Sequence, residues 1–303
     1  MIRYVPHSAI DKVAWDARLE AAGNALWYGR SATLDAASPG WGALIDEAAG
    51  AQLAIPWRRK YGIRYAYQPF LIQQLGPFAP SPSPQDVVRF LQAWPGRFRY
   101  ADIYLCAGDV HADVPHVKLS EQANFVRSLE APIDVLRAGY STNHRRSLKK
   151  AAGTGASYEA RVPAEEVIAF IEGSEQFMRW GIGAARRAAL RGILLAAQAD
   201  GTGSGYGVRE GGTLVAAAFF VRWKGRLIFL KGLASARGRE LLAMHLLIDR
   251  VIADHAGTGL VLDFAGSNDS DLARFYRGFG AVPAPYMRAL VNKLPTLLRR
   301  TKT

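Results

Sequence analysis

The chain has 303 residues, with 38 lysines and arginines against 26 aspartates and glutamates, a formal net charge of +12. Half of the residues are hydrophobic, and seven Trp, twelve Tyr and thirteen Phe supply enough apolar mass for a full core without disulfides or structural metals. Cys106 is the only cysteine, which excludes an intramolecular disulfide and a Cys-rich zinc site. The length fits two domains of roughly 150 residues each. Met1 to His7 lack the basic-then-apolar pattern of a secretory signal, and no apolar run reaches the about 20 residues of a membrane span. A soluble, cytoplasmic protein is therefore expected. Its positive surplus would attract nucleic acid, anionic lipid or phosphorylated small molecules, although an ordinary basic protein has the same composition.

Along the chain, Ile10 to Ala22 carries spaced apolar residues between charges and predicts an amphipathic helix. Gln52 to Trp57 and Ile63 to Phe70 read as strands around a Lys60-Tyr61-Gly62 hairpin turn. Pro77 to Pro84 is a loop, and Pro84 opens a helix whose first turn tolerates proline. Ala101 to Cys106 follows as a strand. In the second half Thr213 to Val221 and Arg226 to Leu230 are strands joined by Trp223-Lys224-Gly225. One long helix is expected from about Arg237 to His255, and Leu260 to Phe264 is a buried strand. Gly201 to Gly207 reads as a flexible connection. The two halves share a strand, turn, strand, helix, strand order, which is most simply two copies of one mixed α/β unit, residues 1–131 and 132–303.

Three segments carry candidate chemistry. Tyr140 to Ala151 places Asn143, Arg146 and Lys150 on one helical face, with Arg145 and Lys149 in the next row. No acidic residue lies between Gly139 and Tyr158 to offset these charges. The row is either a phosphate clamp or a solvated basic face. Lys231 to Arg239 runs from a strand through a glycine-bearing turn into a helix, an arrangement that can hold a phosphate or an oxyanion but is also an ordinary connection. Asp263 ends a buried strand, where α/β sheets gather ligands. Asp263 could orient an amine and Tyr276 could donate a proton; alternatively Asp269 or Asp271 caps a short helix and Tyr276 packs in the core. No HExxH, GxSxG or Walker A pattern is present, so zinc-enzyme, hydrolase and ATPase readings have no support.

These residues resemble a known family. Tyr140 to Ala151 is similar to the Y-x-x-N-x-R-R-x-x-K-K-A stretch of FemAB-like proteins. Asp263-Phe264-Ala265-Gly266-Ser267 with Phe275-Tyr276-Arg277-Gly278-Phe279-Gly280-Ala281 resembles their D-F-x-G-S … F-Y-x-x-F-G-A signature. Tyr67-Gln68-Pro69-Phe70 and Gln73-Gln74-Leu75-Gly76 resemble a segment of a smaller branch. The resemblance implies an α/β (α+β) fold of two tandem GNAT-like domains, each a mixed, mostly antiparallel sheet flanked by helices, the second domain preserving the signature better. It implies an acyltransferase that moves an acyl or aminoacyl group from a thioester or aminoacyl-tRNA onto an amine held between the domains. It also implies Asp263, Tyr276 and Lys231 as catalytic candidates. Asn143, Arg145, Arg146, Lys149, Arg237 and Gly238 are implied around the donor phosphates, and Tyr140, Gln68 and Gln73 as substrate contacts. Expected partners are a phosphate-bearing acyl donor, acyl-CoA or aminoacyl-tRNA, and an amine acceptor such as a cell-wall precursor. No metal and no tightly bound cofactor are expected. Two departures stand out. Where acetyl-CoA users carry a Q/R-x-x-G-x-G/A loop, this chain has Ser235 and Glu240 around Gly238. The long helical arm of some FemAB enzymes is absent. An acetyl-CoA-dependent N-acetyltransferase and a non-catalytic module binding RNA or an anionic ligand are the alternatives.

Overall fold

Chain contacts divide the protein into two units, one formed by Met1–Gln122 with the segment from Pro285 onward, the other by Ala123–Ala284. The computed structural model describes residues 1–106, 110, 112–179, 181–266 and 268–295.

The first unit contains β1 (Ile2–Val5), α1 (Lys12–Ala21), α2 (Ser31–Ala37), β2 (Gly42–Asp46), β3 (Ala51–Ile55), β4 (Trp57–Lys60), β5 (Ile63–Tyr67), α3 (Pro84–Gln92), β6 (Phe98–Leu105) and β7 (Val117–Gln122). Helix α1 starts where the Asp11 carboxylate accepts the Ala14 amide, 3.0 Å away, and it buries Trp15 and Leu19. Helix α3 has Pro84 in its first turn and a reciprocal cap between Ser83 and Asp86. The β4–β5 turn holds Tyr61 and Gly62 at positive φ, 48° and 76°, the geometry of a two-residue hairpin. Strands β1, β2 and β3 form an antiparallel sheet.

The second unit contains β8 (Phe125–Ser128), α4 (Ile133–Ala138), α5 (Thr142–Ala152), β9 (Ser157–Val162), α6 (Ala164–Glu172), α7 (Glu175–Arg179), α8 (Ala184–Ala199), β10 (Gly203–Glu210), β11 (Thr213–Trp223), β12 (Arg226–Ala234), α9 (Ala236–Glu240), α10 (Ala243–Asp254), β13 (Val261–Asp263), α11 (Ser270–Gly278) and β14 (Val282–Pro283). Its seven strands run in the order β14-β8-β13-β12-β11-β10-β9 and are antiparallel except for β12 against β13. The core beneath this sheet includes Phe220, Leu247, Ile248, Leu262, Phe264 and Phe279. The chain then returns to the first unit as β15 (Tyr286–Asn292), which completes a sheet of order β4-β5-β6-β15-β7 in which only β5 and β6 are parallel. Mixed, mostly antiparallel sheets flanked by helices agree with the expected fold class.

Three elements differ from expectation. The division falls at 122/123 and again at 284/285, because β8 pairs with β13 while β15 pairs with β6 and β7. Gly201 to Gly207 is not a flexible connection: β10 begins at Gly203. A Cβ at Gly205 would lie 2.2 Å from the Val162 carbonyl oxygen, and one at Gly203 2.6 Å from the Phe219 ring, so these glycines permit close packing within the sheet. The single long helix is two, broken at Leu242, which takes φ 56° and ψ 31°. Such a left-handed residue cannot continue a right-handed helix.

Candidate active site

The site is built around the end of β12. This strand pairs with β11 along its length, with an irregularity between Phe219 and Phe220. Its parallel partner β13 matches it only over Arg226 to Ile228. Beyond Ile228 the ladder between the two parallel strands ends, and the rest of β12 runs on towards α9. Lys231 lies on this stretch, opposite Phe219. Burial disfavours its ammonium and brings its pKa down to about 8. A lysine in that range can hold or release a proton near neutral pH.

Tyr276 on α11 stacks on Phe264, ring centroids 4.4 Å apart, and stands edge-on to Phe229, two residues before Lys231. Burial raises the pKa of its hydroxyl, which keeps the phenol protonated at neutral pH. Asp263 is fully buried at the end of β13. One carboxylate oxygen accepts Arg226 Nη1 at 2.7 Å; the other accepts Asn124 Nδ2 at 3.0 Å and the Ala265 amide at 2.9 Å. These bonds tie Asp263 to its own unit as a strand-end anchor, a role that sequence reading did not anticipate. Asp269 caps α11, accepting the amides of Asp271 and Leu272 at 2.9 and 3.0 Å, as the sequence suggested. Ser267, part of the same motif, lies outside the described residues.

The loop after β12 carries Arg237 and Gly238. Gly238 is needed because a Cβ there would fall 2.1 Å from the Val215 carbonyl oxygen. Its amide donates to the Ser235 hydroxyl at 3.0 Å, and Arg237 forks onto Glu210 at 2.6 and 2.8 Å and reaches Glu240 at 2.9 Å. Both groups expected to meet a donor pyrophosphate are thus engaged within the protein. A cavity of about 470 Å³ opens beside this loop, lined by Phe170, Ser174, Glu175, Ser235, Arg237 and Arg239 among others.

Helix α5 is capped by Ser141, whose hydroxyl accepts the His144 amide at 3.2 Å. Asn143, Arg145, Arg146, Lys149 and Lys150 are exposed on it. Arg145 bends back to the Ala138 carbonyl, 3.1 Å away. Arg146, Lys149 and Lys150 make no ion pair with any described residue. On the opposite face, which packs along α10, His144 is buried against His245, Phe275 and Phe279 at ring distances of 4.8, 5.4 and 4.5 Å. Tyr140 is buried edge-on to Phe279, near the Arg137–Asp249 ion pair, and burial beside the Asp249 carboxylate raises its pKa. Its ring belongs to the core, in place of the substrate contact expected of it.

Two further expected contacts belong to the first unit. Gln68 donates to the Ile72 carbonyl at 2.6 Å and accepts the Tyr104 amide at 2.8 Å, so it latches the segment after β5 onto β6. Gln73 is buried and accepts Gln74 Nε2 at 2.9 Å. Sequence reasoning missed His144, His245, Arg226 and Asn124. A signal existed for His144, which is the buried position among exposed charges on α5. None existed for the others, whose roles depend on pairings across 37 to 139 residues of chain. Among the described residues no cluster of three or more His, Cys, Asp or Glu is placed to hold a metal ion, and no helix is long and apolar enough to cross a membrane.

Two units of mixed, mostly antiparallel sheet, the second with a parallel pair that parts beside a strand-to-helix loop, make a FemAB-like, tandem GNAT-like fold. Residues 138–275 match the acetyltransferase (GNAT) domain family, so the second unit carries a GNAT-type acetyltransferase domain and acyl transfer is its class of chemistry. No curated protein matches the sequence. The fold is similar to the crystal structure of FemX, at 12% identity and a TM-score of 0.69, over 97% of this chain and 98% of that one. A tandem GNAT protein from the clavulanic acid biosynthesis pathway aligns at 13% identity and a TM-score of 0.54, over 98% and 100% of the two chains. The C-terminal domain of an Agrobacterium fabrum protein named for lysylphosphatidylglycerol synthesis aligns at 14% identity and a TM-score of 0.55, over 91% and 92%.

Proposed function

We propose that the protein transfers an aminoacyl group from an aminoacyl-tRNA to an amine, with the reaction centred on the part of β12 beyond Ile228. The observation that carries the reading is Lys231, a half-buried amine brought to a pKa of about 8 beyond the point where β12 leaves its parallel partner. In this step the acceptor nitrogen attacks the donor carbonyl carbon. A C–N bond forms, the C–O bond to the ribose breaks, and the ammonium proton passes to neutral Lys231. The leaving ribose oxygen takes a proton from a donor such as Tyr276, whose raised pKa keeps it protonated. Arg146, Lys149 and Lys150 would meet the tRNA backbone.

The loop chemistry favours this donor over acetyl-CoA. Glu210 and Glu240 already neutralise Arg237, and their charge opposes a pyrophosphate at that place. The resemblance to FemX concerns fold alone, and a cell-wall precursor as acceptor is part of the proposal.

The test incubates the protein with tRNA charged with labelled amino acids, and in parallel with labelled acetyl-CoA, against a panel of amine acceptors. Transfer from tRNA is expected, reduced at least about a hundredfold by Lys231→Met, as for loss of a general base. Replacing Arg146 and Lys149 with alanine should weaken tRNA binding and flatten its salt dependence by about one to two units of log–log slope, with little change in melting temperature. Transfer only from acetyl-CoA would overturn the choice of donor.

A further inference from the structure

The first unit carries a concentration of positive charge that the transfer reaction does not use. A cavity of about 460 Å³ is lined by Arg59, Gly62, Ile63, Arg64, Arg97 and Arg99, four guanidinium groups and no carboxylate. Strand register assembles them. Arg59 on β4 stands directly opposite Arg64 on β5, and Arg64 is level with Phe98 on the parallel strand β6. Arg97, in the turn that leads into β6, and Arg99 flank Phe98 in sequence, and both line the same cavity as Arg59 and Arg64. Like charges directly opposite on paired strands are destabilising. None of the four arginines forms an ion pair with a described residue.

The guanidinium groups are nevertheless held in place. Arg64 lies over the Trp57 ring at 5.3 Å and Arg97 over the Tyr4 ring at 4.6 Å. Arg59 Nε donates to the Gly62 carbonyl at 3.4 Å. Burial raises the Tyr4 pKa, and Arg97 and Arg64 pull it back, so both cations act on one phenol. Three of the four charges are therefore positioned without a carboxylate, which is the preorganisation an anion site requires. The aromatic rings here already carry cations on a face, so the cavity offers charge more than platforms for stacking bases.

We propose that this cavity binds a ligand bearing two or more phosphate groups, drawn either from a soluble diphosphate compound or from the headgroups of an anionic membrane. Four planar forks match the oxygens of phosphate and exceed the charge of a single carboxylate. The volume lies within the range of small-molecule sites, about 300–1,000 Å³. The proposal does not depend on the transfer chemistry, because it is tested by binding alone.

The experiment titrates the full chain with inorganic pyrophosphate by calorimetry in chloride buffer. In a second arm it measures sedimentation with phosphatidylcholine vesicles, with and without phosphatidylglycerol. Each is repeated with the R59Q/R99Q double variant, which spares the ring-packed Arg64 and Arg97. R99Q alone serves if the pair fails to fold. Saturable binding is expected in at least one arm, weakened about tenfold or more by the substitutions. In phosphate-free buffer the variant should melt no lower than the native protein, since like-charge repulsion is relieved. Pyrophosphate binding without vesicle binding assigns a soluble ligand, and the converse assigns a membrane. Absence of saturable binding in both arms, or equal binding by the variants, overturns the site. So does RNA binding at these arginines that pyrophosphate does not displace.

Discussion

Gly278 on α11 faces the imidazole of His144 on α5 so closely that a Cβ at position 278 would stand 2.0 Å from the histidine Cε1 and 2.3 Å from Nδ1. The glycine is there to admit the ring. Gly278→Ala must displace a buried imidazole packed against Phe275 and Phe279, and overpacking of this kind costs about 1–3 kcal/mol. A lower urea midpoint with an unchanged m-value is expected; an unchanged midpoint would mean that the ring has room to move.

The adjoining His245 defines an acid limit. Burial, with a smaller contribution from His144, brings its pKa from 6.5 to about 4 in the folded protein. Above pH 6.5 both folded and unfolded forms are neutral and stability is unaffected. Between pH 6.5 and about 4 the unfolded chain takes up a proton that the folded chain refuses, so stability falls with pH. His245→Leu should remove on the order of 2 kcal/mol of that acid sensitivity, read as the difference between the two proteins' melting curves across this window.

Lys231 works in the alkaline direction. Its folded pKa of about 8 lies below the unfolded value of 10.5, so the unfolded chain binds more protons between these limits and stability rises with pH. Lys231→Met should stabilise the protein at pH 7 by on the order of 2 kcal/mol, with the advantage fading by about pH 10.5. Native transfer activity should rise through pH 8 as the amine loses its proton. A variant no more stable than the native protein at pH 7 would show that the contacts of the amine in the fold offset its desolvation.

Arg226 and Asp263 form a fourth stability test. Arg226→Ala would leave the fully buried Asp263 carboxylate with Asn124 and a backbone amide but without its cation. A loss of about 3 kcal/mol is expected by chemical denaturation, partly recovered by adding Asp263→Asn. If the double variant is no better than the single one, the ion pair is not what matters there.

Much of this architecture was legible in the sequence where local chemistry decides it. The hairpins at Tyr61-Gly62 and Lys224-Gly225 follow from their glycines, which tolerate positive φ, and α5 follows from its periodic charges. Helices α6 to α8 carry no motif that marks them in the sequence. The break at Leu242 was not legible, because leucine rarely adopts the left-handed region that this residue, partly buried against the core, takes here. Gly203, Gly205 and Gly207 looked like a flexible run because the reason for them is the proximity of Phe219, Val162 and Leu214. For the candidate site the contrast is similar. The exposed row on α5 could be read from spacing, whereas the engagement of Arg237 by Glu210 and of Asp263 by Arg226 depends on strand register.

The position of β15 governs the order in which the chain can fold. Tyr286–Asn292 lies between β6 and β7, hydrogen-bonded to both, so the first unit's five-stranded sheet is two separate pieces until that strand arrives. During synthesis β4 to β7 must wait for a segment made after the whole of Ala123–Ala284. The second unit has its complete sheet within that continuous stretch and can close first. The five-stranded sheet thus closes against the usual amino-to-carboxyl order of domain folding, and β6 and β7 keep unpaired edges until β15 joins them.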